Sequence, residues 1–166
     1  MRVRREFHRL KIGDRLTIRR ASEADFPAWA DLLTRLHPAI PASEFTADIA
    51  WWKASGDPFA CFFAEAEEAI VGFIDARVRG YVEGAPGGRA AFVEDLWVDE
   101  AHRRSGIAAA LLDAVERWAC DLGLAWLGSD TVPENTASQR WHLAHGFSEL
   151  ERLVVYGKSL DQKPNE

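Results

Sequence analysis

The chain has 166 residues, of which 48% are hydrophobic and 28% charged, with a formal net charge of −6. That length and mixture predict one compact core, long enough to need no disulfides, and argue against a disordered chain. No apolar run of about eighteen residues suggests a membrane span, residues 1–20 lack the apolar stretch of a signal peptide, and Cys61 and Cys120 form no CxxC pair, so a reduced, cytoplasmic setting is expected.

The charge is unevenly spread. Residues 1–20 hold eight Arg or Lys against Glu6 and Asp14, a net +6, which leaves −12 for residues 21–166. An acidic body repels nucleic acid and favours cationic ligands. Residues 1–15 read as a basic, solvated leader, with a nucleic-acid arm as the alternative. The domain proper is expected over 16–160, and 161–166 read as a polar tail.

In chain order, Leu16–Arg20 alternates and reads as a strand. Ser22-Glu23-Ala24-Asp25 resembles a capping box, with the Ser22 side chain accepting a backbone N–H, and opens a helix to about Arg35 that buries Phe26, Trp29, Leu33 and Leu36. Pro38 and Pro41 break it. Ser43 can cap a second helix through Trp52, ended near Gly56. Phe59–Glu65 and Ala69–Val78 read as a hairpin with a short acidic turn, and Ala90–Val98 as a further strand. Ile107, Leu111, Val115, Trp118 and Leu122 mark one face of a long helix stopped by Gly123. Leu124–Ser129 reads as a strand, Glu134–His145 as a helix ended by Gly146, and Leu150–Lys158 as a last strand. The order βααβββαβαβ predicts an α+β, α/β-layered fold.

The chemistry concentrates in two stretches. Arg103-Arg104-Ser105-Gly106-Ile107-Ala108 follows a strand and opens a helix, fitting Arg/Gln-x-x-Gly-x-Gly/Ala. Small residues at a helix start let unpaired backbone N–H groups close on an anion, and the helix dipole and two arginines add positive potential. Taken alone, the stretch reads equally as a pyrophosphate cradle or as an ordinary strand-to-helix turn. Neither a dinucleotide GxGxxG nor a P-loop is matched. The second stretch is Ser129-Asp130-Thr131-Val132-Pro133-Glu134-Asn135, leading into Ala137-Ser138-Gln139-Arg140-Trp141-His142 and Gly146-Phe147.

In this order and spacing the two stretches resemble the GNAT (Gcn5-related) N-acetyltransferases, over roughly residues 16–158. Tyr81-Val82-Glu83-Gly84, Phe92-Val93-Glu94, Ser129-Asp130-Thr131 and Gly146-Phe147-Ser148-Glu149-Leu150-Glu151-Arg152 narrow it to the aminoglycoside 6′-N-acetyltransferases. The resemblance implies a mixed central sheet splayed at the acetyl-CoA site with flanking helices. It implies acetyl-CoA as cosubstrate, no metal, and direct transfer in a ternary complex to the 6′-amino group of an aminoglycoside, giving resistance. Leu96, Trp97 and Val98 would align acetyl-CoA, with the Val98 N–H stabilising the thioester oxyanion. Arg103, Arg104, Ser105, Gly106, Ile107 and Ala108 would bind pyrophosphate, and Asn135 the pantetheine arm. His37, Tyr81, Glu94, Asp130 and Glu151 match positions that face the aminoglycoside. Glu94 and Asp130 are assigned mainly to binding and orientation of the cationic substrate, with proton removal as a secondary role.

Two positions depart from the family. His142 stands where many members have the Tyr that protonates the leaving thiolate, and it either donates that proton or packs beside the coenzyme. His37 stands where the aminoglycoside relatives carry Trp. The remaining residues have plainer readings too: Asp130 as a turn residue, Asn135 as a helix cap, Tyr81 as a loop aromatic, Glu151 as an exposed strand residue. His8, His102 and His145 have no partner at metal-ligand spacing. Rival functions are acetylation of another polyamine or a protein amine, and non-catalytic acyl-CoA binding. Apolar residues in Leu150–Lys158 suggest strand pairing across a homodimer.

Overall fold

A computed structural model describes residues 10–12 and 16–159. Two compact units are present, one up to Asp130 and one from Thr131. In the first unit, β1 (Leu10–Ile12), β2 (Leu16–Arg20), β3 (Phe59–Ala66), β4 (Ala69–Arg79), β5 (Ala90–Val98) and β6 (Leu127–Ser129) form a six-stranded sheet in sequential order. Every neighbouring pair is antiparallel except β5–β6, which is parallel. The basic leader was not expected to pair; instead Leu10–Ile12 forms an edge strand on β2. The remaining leader residues and the tail from residue 160 onward lie outside the described residues.

Helices α1 (Phe26–Leu36) and α2 (Ala42–Ser55) pack on each other. Trp29, Leu33, Phe45 and Ile49 join Cys61, Phe63 and Phe73 of the sheet in one buried cluster. The chain enters α1 through a one-turn 3-10 segment, Glu23–Asp25. Its expected box forms in altered shape: the Ser22 N–H and hydroxyl both donate to Asp25 Oδ2, at 2.8 and 2.7 Å. Asp25 also takes a two-pronged contact from Arg19, and its carboxyl lies well below the usual range because that guanidinium hydrogen-bonds the charged form.

Helix α3 (Ile107–Asp121) packs against β3, β4 and β5, burying Ile107, Leu111, Val115 and Trp118 as its spacing predicts. Gly72 keeps that approach close: a Cβ there would lie 3.0 Å from the Trp97 carbonyl and 3.3 Å from Ile107.

The second unit holds α4 (Thr136–Ala144), capped by the Asn135 side chain, which accepts the Ser138 N–H at 3.1 Å. The expected last strand is absent. Leu150–Lys158 has no regular structure, and Leu153, Val154, Val155 and Tyr156 stand exposed, Tyr156 at 89%. Strand propensity is present there, but no strand of the described chain pairs with it, and propensity without a ladder does not make a strand.

Candidate active site

The sheet opens along β5. Its first half, Ala91–Val93, pairs with β6, but no ladder continues past Val93 on that side. The other side stays paired with β4 as far as Val98. Backbone direction fixes which groups face the opening. The Asp99 N–H bonds Val71 of β4 and the Asp95 N–H bonds Asp75 of β4. Successive residues alternate, so the N–H groups of Leu96 and Val98 point to the unpaired side. The Arg103 side chain donates to the Val98 carbonyl there at 3.1 Å.

Past β5, a 3-10 turn over Glu100–His102 leads into the predicted cradle. Arg104 has φ 62° and Gly106 φ 84°, both in the left-handed region, which turns the chain sharply before α3. A non-glycine residue with positive φ is uncommon. The first helical bond is that of Ala110 N–H to Gly106 O at 3.0 Å, so the N–H groups of Ile107, Ala108 and Ala109 project from the helix start. A left-handed Gly–helix entry, outward N–H groups, two arginines and an open strand edge suit an extended thioester carrying a pyrophosphate.

A β-bulge sits at the point where the sheet opens. Asp75 faces Asp95 and Ala76 faces Val93, which leaves Glu94 as the extra residue of β5. The amide of Asp95 is taken up by a side chain, Asp75 Oδ1, at 2.9 Å, while Asp75 Oδ2 accepts the Trp29 indole N–H at 2.8 Å. Asp75 is 1% exposed, and burial pushes its carboxyl well above the usual range, with the Asp95 charge adding to the effect. Asp95 is also raised, chiefly by burial, against a lowering contact from His37. His37 caps the end of α1, and its Nε2 lies 2.7 Å from Asp95 Oδ1. Glu94 turns to Arg77 and Arg79 of β4: Oε1 accepts from Nε of both, and Oε2 from a terminal nitrogen of Arg79.

Of the residues singled out in the sequence, the first unit brings His37 to β5 beside Glu94, with Asp130 near enough to raise Asp95 by its charge. Tyr81 stands 70% exposed in the loop after β4. Asn135, His142 and Glu151 belong to the second unit. There His142 Nδ1 lies 2.8 Å from the Ser138 carbonyl, which assigns that nitrogen the proton in the neutral ring. Its ring meets Phe147 edge-on at 5.1 Å. Among the described residues no metal-binding cluster occurs and no helix is long and apolar enough to cross a membrane. Asp75, Arg77 and Arg79 were not singled out beforehand. Their signal was an i, i+2 series of charges interrupting the apolar run of β4.

The model of the acetyltransferase (GNAT) family matches residues 26–147, and the chain belongs to that family. Its relatives narrow the class. An aminoglycoside N(6′)-acetyltransferase type 1 of Salmonella enteritidis is 36% identical over 144 residues, covering 86% of this chain and 99% of its own length. One from Stenotrophomonas maltophilia is 37% identical over 148 residues, 87% of this chain and 94% of its own. Among solved structures, the aminoglycoside N-acetyltransferase AAC(6′)-Iy in complex with CoA superimposes with a TM-score of 0.80 at 35% identity, covering 90% of this chain and 98% of that one. The same enzyme with a CoA-linked acetylneamine bisubstrate analogue gives 0.79 at 36% identity, with 87% and 98% covered.

Proposed function

We propose that the chain transfers the acetyl group of acetyl-CoA to the 6′-amino group of an aminoglycoside. The observation that carries this reading is the open edge of β5 with the Val98 N–H facing it, in a chain that aligns along nearly its whole described length with aminoglycoside 6′-N-acetyltransferases. Acetyl-CoA supplies an activated thioester. Arg103, Arg104, Ser105, Gly106, Ile107 and Ala108 hold the pyrophosphate. Leu96, Trp97 and Val98 align the pantetheine arm along the unpaired edge, and Asn135 is a further residue assigned to that arm. The Val98 N–H donates to the carbonyl oxygen as negative charge builds on it. Transfer is direct, so neither Cys61 nor Cys120 is needed as a nucleophile. The acidic body and the carboxylates of Asp130 and Glu151 attract a polycation, Tyr81 and His37 contact its rings, and loss of one charge weakens the drug's hold on ribosomal phosphates; Glu94, expected to share in this, is taken up by Arg77 and Arg79. His142 is the proposed proton donor to the leaving thiolate.

The test is release of free thiol from acetyl-CoA with kanamycin and tobramycin, against an analogue with hydroxyl in place of the 6′-amine, spermidine and a lysine peptide. Turnover that disappears with the 6′-hydroxyl analogue establishes the reading. Turnover confined to spermidine or peptide moves the substrate to another amine. Silence with every amine despite coenzyme binding leaves an acyl-CoA-binding protein.

The working form is a homodimer in the cytoplasm. Leu153, Val154, Val155 and Tyr156 present a run of exposed apolar side chains on an unpaired backbone, which a second copy of the chain would cover. Two unpaired cysteines suit a reducing compartment. Sedimentation should give a dimer, and Val155→Asp should shift it toward monomer.

A further inference from the structure

We propose that His37, held by Asp95, takes the proton from the acceptor ammonium, with Asp75 as the positioning residue that fixes Asp95. The inference rests on the amine acetylation proposed above and names the base within that site.

Two carboxylates stand side by side on β5, and the structure gives them different occupations. Glu94 is spent on two guanidiniums, both of its oxygens accepting from Arg77 or Arg79. Donors of β4 thus already occupy both oxygens, which leaves little of the group free for a further cation. Asp95 instead meets an imidazole, Oδ1 to His37 Nε2 at 2.7 Å. With the proton on Nε2 and donated to Asp95, the Nδ1 lone pair of His37 is the accepting site. Some 41% of the His37 side chain is exposed, so a solvated ammonium can reach it, whereas the Asp95 side chain is 19% exposed. This is the arrangement in which a buried carboxylate orients an imidazole, sets its tautomer and stabilises the imidazolium.

The positioning extends one layer inward. Asp95 lies next to the bulge, where its own amide has left the regular ladder. Asp75 captures that amide and is itself held by the Trp29 indole, which ties the bulge to α1, the helix whose end carries His37. The charged groups around the pair are Asp75, Arg77 and Arg79 on β4, Glu94 on β5 and Asp130 after β6. From α2 the neighbour is the uncharged ring of Phe45, 5.9 Å from the His37 ring.

The step balances. One N–H bond of the substrate ammonium breaks, its electron pair stays on nitrogen, and the proton bonds to His37 Nδ1. The freed amine forms a C–N bond to the acetyl carbon and the C–S bond breaks. The nitrogen gives up a second proton, which ends on the thiolate sulfur as the free thiol. His37 returns its proton to solvent, so the net release is one H⁺ per acetylation.

The experiment is steady-state kinetics over pH 5–9 with whichever amine the wild-type enzyme acetylates, on wild type, His37→Gln, His37→Ala and Asp95→Asn, with thermal unfolding of each. Glutamine can still donate to Asp95 but cannot take up a proton. His37→Gln should lower kcat by about 10²-fold at little change in KM and remove the acidic limb of the kcat profile. Added imidazole should restore His37→Ala. Asp95→Asn should lower kcat and move the acidic limb to lower pH, since the imidazolium loses its anionic partner. A His37→Gln enzyme with kcat within about threefold of wild type and an unmoved limb overturns the proposal. So does one that raises KM alone, which would make His37 a binding residue only. A wild-type enzyme silent with every amine overturns the acetylation reading and this inference together, and differs visibly from the first two outcomes.

Discussion

The two flanks of the bulge on β5 carry the same chemistry in unlike settings. On one flank Glu94 faces Arg77 and Arg79, and Arg79 lies over the Phe92 ring at 3.5 Å. On the other, Asp95 and Asp75 share a burial site with an indole, an amide and an imidazole. The first flank sets two guanidiniums against one carboxylate; the second holds more acid than base, and burial pushes both of its carboxyls up. Neighbouring residues of one strand are thus divided between holding the sheet and handling a proton.

The largest stability effect should come from Asp75. Both of its partners are donors, so Asp75→Asn can accept only one of them and turns an NH2 group toward the other. The expected loss is about 1–3 kcal/mol of unfolding free energy, read by denaturant titration. The pH dependence carries a sign. The Asp75 pKa is raised in the folded state, so native protein holds a proton that the unfolded chain has lost above the ordinary carboxylate range. Its contribution to stability is therefore greatest in acid and declines as pH rises through the raised value. The cost of Asp75→Asn should shrink with rising pH, and a cost that grows instead would refute the buried-acid account.

Asp25 should behave in the opposite way. Arg19 holds its carboxyl low, so its contribution is full at neutral pH and is lost only as pH falls below the ordinary carboxylate range. Asp25→Asn should cost about 1–2 kcal/mol at pH 7 and little in strong acid. Urea titrations at two pH values on both variants separate the two carboxyls.

Glu94→Gln sharpens the contrast within β5. If the guanidinium pair occupies Glu94, its amide variant should keep kcat within about tenfold of wild type and leave the acidic limb of the pH profile in place, unlike His37→Gln. A larger loss, with the limb gone, would return the proton to Glu94.

Much of this was legible beforehand, and the gaps have physical causes. The span Ala90–Val98, the long helix stopped at Gly123 and the turn that opens it follow from periodicity and from the demands of a helix N-terminus. The edge strand Leu10–Ile12 was missed because three residues carry too little pattern to outweigh the basic charge around them. Leu150–Lys158 was read as a strand from propensity, but pairing depends on a partner that local sequence does not reveal. The adjacent acids Glu94 and Asp95 are visible in the sequence. The carboxylate that is fully buried is Asp75, twenty positions before Asp95, and register rather than spacing brings the two together. His37 drew notice only as a departure from Trp; its bond to Asp95 spans 58 positions and leaves no local trace.

The smallest expected effect lies far from the bulge, in the turn between β3 and β4. Ala66 pairs with Ala69, so Glu67 and Glu68 form a two-residue loop, and both have positive φ, 50° and 68°. Hairpin twist calls for that conformation, and glycine adopts it without the clash between Cβ and backbone that glutamate suffers. At the bulge Asp75 accepts the displaced Asp95 amide, whereas relief here is available by substitution. Glu68→Gly should therefore raise stability, by about 1 kcal/mol once the greater freedom of glycine in the unfolded chain is set against the relief. The gain should appear in the denaturation midpoint with kcat and KM unchanged, because the turn lies at the opposite end of β4 from Arg77 and Arg79. A loss of stability would mean that the side chain of Glu68 makes up for its backbone.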